Sequence, residues 1–126
     1  MEAVQRDITR REVIRGCKDV IEAYFEAKLR IGLLADAVRR QADIDRQAEA
    51  AAIAASRFAA IGTFLANGQN EAARGRYTEL SKEIERLVAA AGAGSIEDLS
   101  GAYGAADGLF KGMNQDCVGS ARLDFI

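Results

Sequence analysis

Residues 13–38 read VIRGCKDVIEAYFEAKLRIGLLADAV, and apolar side chains recur in this stretch at alternating steps of four and three. This spacing places them on one face of an α-helix and continues for more than three heptads. Thr9 and Glu12 have the spacing of a capping box, so we expect the helix to begin at residue 9 and to end near residue 40. The expected buried seam consists of Val13, Cys17, Val20, Tyr24, Ala27, Ile31, Leu34 and Val38.

Three further amphipathic segments follow this helix. We predict helices over residues 44–66, 70–91 and 95–117, with Ser95 as the cap of the last one. The third segment repeats the alternation of four and three in Ala73, Tyr77, Leu80, Ile84, Leu87 and Ala91, and the fourth in Leu99, Tyr103, Ala106, Phe110, Met113 and Cys117. The apolar stripe shifts phase at residues 39–45, where the pattern fits either a hairpin turn or one continuous bent helix.

The composition agrees with a purely helical protein. The chain has 126 residues and no proline, and alanine, the best helix former, is abundant. Short connections between amphipathic helices predict an all-α, antiparallel bundle of about four helices in a single domain covering residues 1–126, with the first helix the longest. An up-down-up-down order brings Cys17 and Cys117 near the same end of the bundle. A disulfide is geometrically possible there, but two buried, reduced thiols are the favoured reading for a protein made in the cytoplasm.

Small residues form two stripes that a core alone does not explain. On a helical wheel Gly101, Gly104, Gly108 and Gly112 cluster opposite the bulky seam of the fourth segment, on its outer side. Their spacing allows another helix backbone to approach closely, so we expect a self-association interface there, against the alternative of a frayed helix. A second smooth flank lies beside the bulky stripe of the second segment, and we include it in the expected self-association interface, although packing within the chain is its simpler explanation. It consists of Ala48, Ala52, Ala55 and Ala59.

The sequence argues against an enzyme. It contains no histidine and only two cysteines, which removes histidine-based catalysis and the common zinc sites. It also lacks a phosphate-binding loop. We therefore expect no cofactor and no bound metal. No segment combines the length and the apolar composition of a resting membrane span.

The most plausible function from sequence is a non-enzymatic structural subunit that packs against copies of itself or other proteins. A phage virion component or a secretion-machinery subunit fits this description, made in the cytoplasm and then incorporated into a larger assembly. The alternative is a small nucleic-acid-binding or regulatory protein whose arginines contact phosphates. Its candidate residues are Arg6, Arg10, Arg11, Arg15, Arg39 and Arg40, but residues 1–46 carry ten basic and nine acidic side chains, which weakens that alternative.

Overall fold

The computed structural model describes the backbone of residues 2–66 and 71–123, and within these ranges the side chains of residues 11, 12, 14–64, 71–95 and 97–117. The described chain folds into four α-helices joined by short turns, in the order expected for a bundle. They are α1 (Glu2–Arg40), α2 (Ile44–Ala66), α3 (Glu71–Ala93) and α4 (Ile96–Leu123). The all-α bundle predicted from the sequence is therefore the observed fold.

Helix α1 is longer than the capping-box prediction allowed. Its backbone is helical from Glu2, so Thr9 lies inside the helix and the predicted start at residue 9 is wrong. The first eight residues contain neither glycine nor proline and include alanine, glutamate, glutamine and arginine, all good helix formers.

A tight turn, and not a bend in one helix, separates α1 from α2. The Ala42 N–H bonds the Ala37 carbonyl at 3.0 Å and the Gln41 N–H bonds the Val38 carbonyl at 3.2 Å, which is the Schellman pattern of a helix C-terminus. Gln41 has the left-handed φ of 54° that this motif requires. Glycine usually occupies that position, and its absence is why the sequence left a hairpin and a bent helix equally open.

The turn between α3 and α4 uses the same motif with the usual residue. Gly94 has φ of 73°, and the Ser95 N–H bonds the Ala90 carbonyl at 3.1 Å. Ser95 then begins α4: its carbonyl accepts from the Leu99 N–H at 3.0 Å and its hydroxyl donates to Asp98 at 2.8 Å. Helix α4 continues beyond the predicted end at residue 117, to Leu123.

The four helices form a bundle in which α1 and α3 are the central pair. Helix α1 contacts the three other helices, and α3 does the same. Across the described residues, α2 and α4 make no direct contact with each other. Helices α2 and α4 therefore lie on opposite sides of the α1–α3 pair, and their outer faces point in opposite directions.

The core contains most of the seams predicted from the sequence. All six predicted residues of α3 are buried, from Ala73 to Ala91, together with the central part of the α1 seam. In α2 the buried residues are Ala51, Ala54 and Phe58, so small side chains let α2 approach α1 and α3 closely. Beside the α1 seam, the side chains of Ile14 and Phe25 are exposed. In α4 the predicted seam is buried at Ala106, Met113 and Cys117 and half-buried at Leu99, Tyr103 and Phe110.

The two glycines at the end of α3 have opposite roles and form a matched pair for mutation. Gly94→Ala is expected to lower the free energy of unfolding by about 1–2 kcal/mol, because an L-residue is disfavoured at this left-handed position. An added Cβ would also lie 3.3 Å from the Val38 side chain. Gly92→Ala is expected to raise the free energy of unfolding by up to about 1 kcal/mol, because Gly92 is helical and faces open space. Urea denaturation measures both changes, and equal effects of the same sign would contradict this account of the turn.

Candidate functional site

The outer face of α4 is bare along most of the predicted glycine strip. Gly101, Gly104 and Gly108 are exposed, and a Cβ atom built on any of them meets no other atom within 4 Å. Gly112 differs, because a Cβ there would lie 3.3 Å from the side chain of Arg76 on α3. The helical wheel therefore located the strip correctly over three of its four residues, while the fourth is covered within the same chain.

Nothing in the described chain requires glycine at the three exposed positions. Each lies in regular helix, where glycine is less stable than alanine by up to about 1 kcal/mol. Alanine would fit each position without a clash, since the surrounding space is open. The frayed helix considered from sequence is not observed, because α4 is continuous through the strip. Among the described residues, no contact accounts for glycine at these three positions.

The alanine flank of α2 has a neighbour within the chain. Ala48 and Ala55 pack against the core, and Ala52 is exposed. Ala52, Ala55 and Ala59 line a shallow groove of about 270 Å³ whose other wall is formed by Glu85 and Val88 of α3. The alanine flank thus lies beside α3 of the same chain, and its use as a self-association surface stays a prediction.

The outer face of α2 carries large apolar side chains that the sequence reading missed. Phe64 is 84% exposed and Ile53 is 62% exposed. They are eleven residues apart, about three helical turns, so they lie on the same side of α2. Both lie at a different helical phase from the buried stripe of Ala51, Ala54 and Phe58. This difference in phase is the sequence signal that could have identified them as exposed. Further exposed apolar side chains on α1 are Ile14, Phe25, Leu29 and Leu33.

The candidate arginines do not form one surface. Arg39 and Arg40 both pair with Asp36, one turn earlier on α1, and hydrogen bonding from Arg39 holds the pKa of that carboxyl below its usual range. Arg11 and Arg15 are exposed near the other end of α1. The side chains of Arg6 and Arg10 lie outside the described residues. The 24 residues between Arg15 and Arg39 correspond to about 36 Å along the helix.

A polar and aromatic cluster joins α1 to α4 on the inner side of the glycine helix. The Tyr24 hydroxyl donates to Asp107 at 2.5 Å, and Lys28 pairs with the same carboxylate at 3.0 Å. The Tyr24 ring stacks on Phe110 with the ring centroids 4.1 Å apart. Burial, together with the Asp107 contact, raises the pKa of Tyr24, so its hydroxyl remains a donor. The Tyr24 hydrogen bond is the main reason why the pKa of Asp107 lies below its ordinary value of 3.8.

Cys17 and Cys117 form a disulfide between α1 and α4, where the sequence favoured two reduced thiols. Their Cα atoms are 5.8 Å apart, within the range that a disulfide spans. The step of seven residues from Cys17 to Tyr24 matches the step of seven back from Cys117 to Phe110, so one antiparallel register produces both contacts. The prediction of reduced thiols was wrong because it relied on the rarity of disulfides in the cytoplasm. It gave less weight to the position of both cysteines near the same end of the bundle. The bond closes a loop of about 100 residues, for which chain entropy predicts a stabilisation of about 4–5 kcal/mol.

The chain matches no protein-family model, and no curated protein or solved structure resembles it significantly. Over the described side chains, no group of three or more potential metal ligands occurs. None of the described helices combines the length and hydropathy needed to cross a membrane.

The Tyr24–Asp107–Lys28 cluster predicts an acid-dependent loss of stability. Because the folded-state pKa of Asp107 is depressed, its contribution is complete above the unfolded value of 3.8 and disappears as the pH falls through the folded value. Asp107→Asn should therefore reduce the slope of the unfolding free energy against pH in this acidic window. Tyr24→Phe should reduce it partly, since the Tyr24 hydrogen bond is the main cause of the shift.

Urea denaturation from about neutral pH to about pH 2 measures that slope. Glu49→Gln is the matched control, because Glu49 is an exposed carboxylate on α2, away from the cluster. If Asp107→Asn and Glu49→Gln change the acidic slope equally, the cluster does not stabilise α1 against α4.

Proposed function

We propose that this protein is a non-enzymatic assembly subunit that works by helix packing against other copies of itself. The single observation that supports this most is the bare face of α4, where three glycines occupy regular helix without a contact that requires them. A neighbouring backbone packed along Gly101, Gly104 and Gly108 would supply the missing stabilisation through close van der Waals and Cα–H···O contacts. In a homo-oligomer the face is covered, and the three glycines then have a function.

The position of the exposed side chains on α2 suggests how the copies are arranged. Phe64 and Ile53 project from the outer face of α2, on the opposite side of the α1–α3 pair from α4. A large side chain of one copy fits a bare strip of the next copy, in the manner of a knob in a groove. Because the two faces differ, the contact is heterologous, and repeated contacts of this kind produce a ring or an open filament.

The biological setting that fits such a subunit is a large repetitive assembly. We propose a phage virion component or a secretion-machinery subunit, synthesised in the cytoplasm and then incorporated. The shape of the subunit supports this: it is a helical body with two opposed and different faces. The sequence without histidine supports a structural function over a catalytic one.

The nucleic-acid-binding alternative has less support. Two of its six arginines, Arg39 and Arg40, are paired with Asp36, and the others lie toward the opposite end of α1. Phosphate contacts by Arg39 or Arg40 would first have to break these pairs. An electrophoretic mobility shift with duplex DNA at low salt tests this alternative, and a salt-sensitive shift lost in an Arg11→Ala, Arg15→Ala variant would favour it.

Gly108→Leu tests the assembly interface directly. The leucine side chain should fill the strip and weaken self-association roughly 10- to 100-fold, as expected for overpacking by about 1–3 kcal/mol. Helicity by circular dichroism should be unchanged, because leucine is a better helix former than glycine. Light scattering coupled to size-exclusion chromatography at several protein concentrations measures the assembly.

Gly75→Leu is the matched control for this substitution. Gly75 is an exposed helical glycine of α3 with no atom within 4 Å of an added Cβ, but it lies outside the strip. The control should assemble like the wild type. Self-assembly through α4 is contradicted if the wild type stays monomeric at every concentration, or if Gly108→Leu assembles as well as Gly75→Leu.

A further inference from the structure

We propose that the Cys17–Cys117 disulfide is a reversible redox clasp in which Cys17 is the sulfur attacked by an incoming thiolate. In this reaction Cys117 is the leaving thiolate, and the Tyr77 hydroxyl stabilises it by a hydrogen bond. The proposal concerns the contact between α1 and α4 and is independent of the assembly function.

The disulfide lies where a reductant can reach it. Cys17 and Cys117 both line a surface groove of about 420 Å³ between α1 and α4. Cys17 is 8% exposed and Cys117 only 3%, so Cys17 is the more accessible of the two residues. Lys18 and Glu22 line the same groove, so its charged side chains carry both signs.

The Tyr77 hydroxyl is positioned to stabilise the Cys117 sulfur as it leaves as a thiolate. Its hydroxyl oxygen lies 3.5 Å from the Cys117 sulfur, and both residues are buried. Burial, followed by the nearby Asp116 charge, raises the pKa of Tyr77 to about 12, so the hydroxyl carries its proton at neutral pH. The Asp116 carboxylate is itself paired with Arg76 at 2.9 Å, which limits its repulsion of a thiolate at Cys117. A hydrogen bond to a charged acceptor is stronger than one to a neutral acceptor, so this contact strengthens as the sulfur becomes a thiolate.

Opening the clasp leaves a second contact between the same two helices. Tyr24, Lys28, Asp107 and Phe110 join α1 to α4 two to three turns away from the disulfide. The expected result of reduction is local: the end of α4 around residues 113–117 loosens, while the segment around residues 107–110 stays attached to α1.

The reaction balances with a dithiol reductant such as dithiothreitol. Its thiolate attacks the Cys17 sulfur, forms a mixed disulfide and releases the Cys117 thiolate, which takes up a proton. The second thiol of the reductant then attacks the mixed disulfide, releases Cys17 and leaves as a cyclic disulfide. Two electrons and two protons pass to the protein, and glutathione disulfide, a two-electron oxidant, reverses the reaction while forming two molecules of glutathione.

The test measures the rate of reduction of the oxidised protein by dithiothreitol, with alkylation and mass spectrometry to count free thiols. Tyr77→Phe should slow reduction by roughly three- to tenfold, the range expected for loss of one hydrogen bond. Loosened packing would instead speed reduction, so the direction of the change separates the two explanations. Tyr103→Phe is the matched control, because Tyr103 is a half-buried tyrosine of α4 that contacts Lys28 and not the sulfurs.

Two further measurements complete the test. When glutathione replaces dithiothreitol, the mixed disulfide trapped by rapid acidification and located by peptide mapping should lie on Cys17 and not on Cys117. Hydrogen exchange of oxidised and reduced wild type should differ in the last turns of α4 and near Cys17, with residues 103–110 little changed. The proposal is overturned by equal reduction rates in Tyr77→Phe and wild type, by a glutathione mixed disulfide on Cys117, by global unfolding on reduction, or by the absence of a disulfide after treatment with glutathione disulfide.

Discussion

The burial of the inner face of α1 is the constraint on which the rest of the structure depends. Val20, Ala27, Ile31 and Leu34 are fully buried, and Tyr24 is nearly so. One helix can be covered this completely only if other helices pack around it, and α2, α3 and α4 each contact α1. Removing these apolar side chains from water is the main stabilising contribution, because the exposed ion pairs contribute little. The turns then determine where each covering helix begins.

The same constraint explains how far the sequence could predict the fold. Heptad spacing predicted most of the buried faces of α1, α3 and α4, because a side chain at the wrong phase of a helix would face water. It did not predict the buried Ala51 and Ala54 of α2. The sequence predicted the turns less well than the buried faces, because a turn depends on backbone conformation. Gln41 adopts the left-handed conformation that glycine normally marks, so the first turn had no visible residue signature, whereas Gly94 identified the second. The predicted start of α1 was wrong because a capping-box pattern can also occur inside a helix, and α1 continues through Thr9.

Residue spacing also predicted some features of the candidate site and missed others. A helical wheel shows which residues share a side, and it placed Gly101, Gly104 and Gly108 away from the core, where they are exposed. It cannot show what a neighbouring helix places opposite, so Arg76 beside Gly112 was not foreseen. Nor can it pair two residues that are 100 positions apart, since that depends on the register between α1 and α4. Phe64 and Ile53 were missed because an apolar residue is ordinarily assigned to the core.

Helix α4 differs between its two sides, and this difference bears on how it would bind a partner. Toward α1 it is fixed by Tyr24, Asp107, Phe110 and the disulfide, while its opposite side at Gly104 and Gly108 has no neighbour in the described chain. The four glycines of the strip would otherwise increase the number of backbone conformations available to the helix. A helix already held on one side loses less conformational freedom when a second helix packs on the other. The contacts on the inner side therefore make a glycine-rich outer face compatible with tight packing, since they supply the rigidity that the glycines remove.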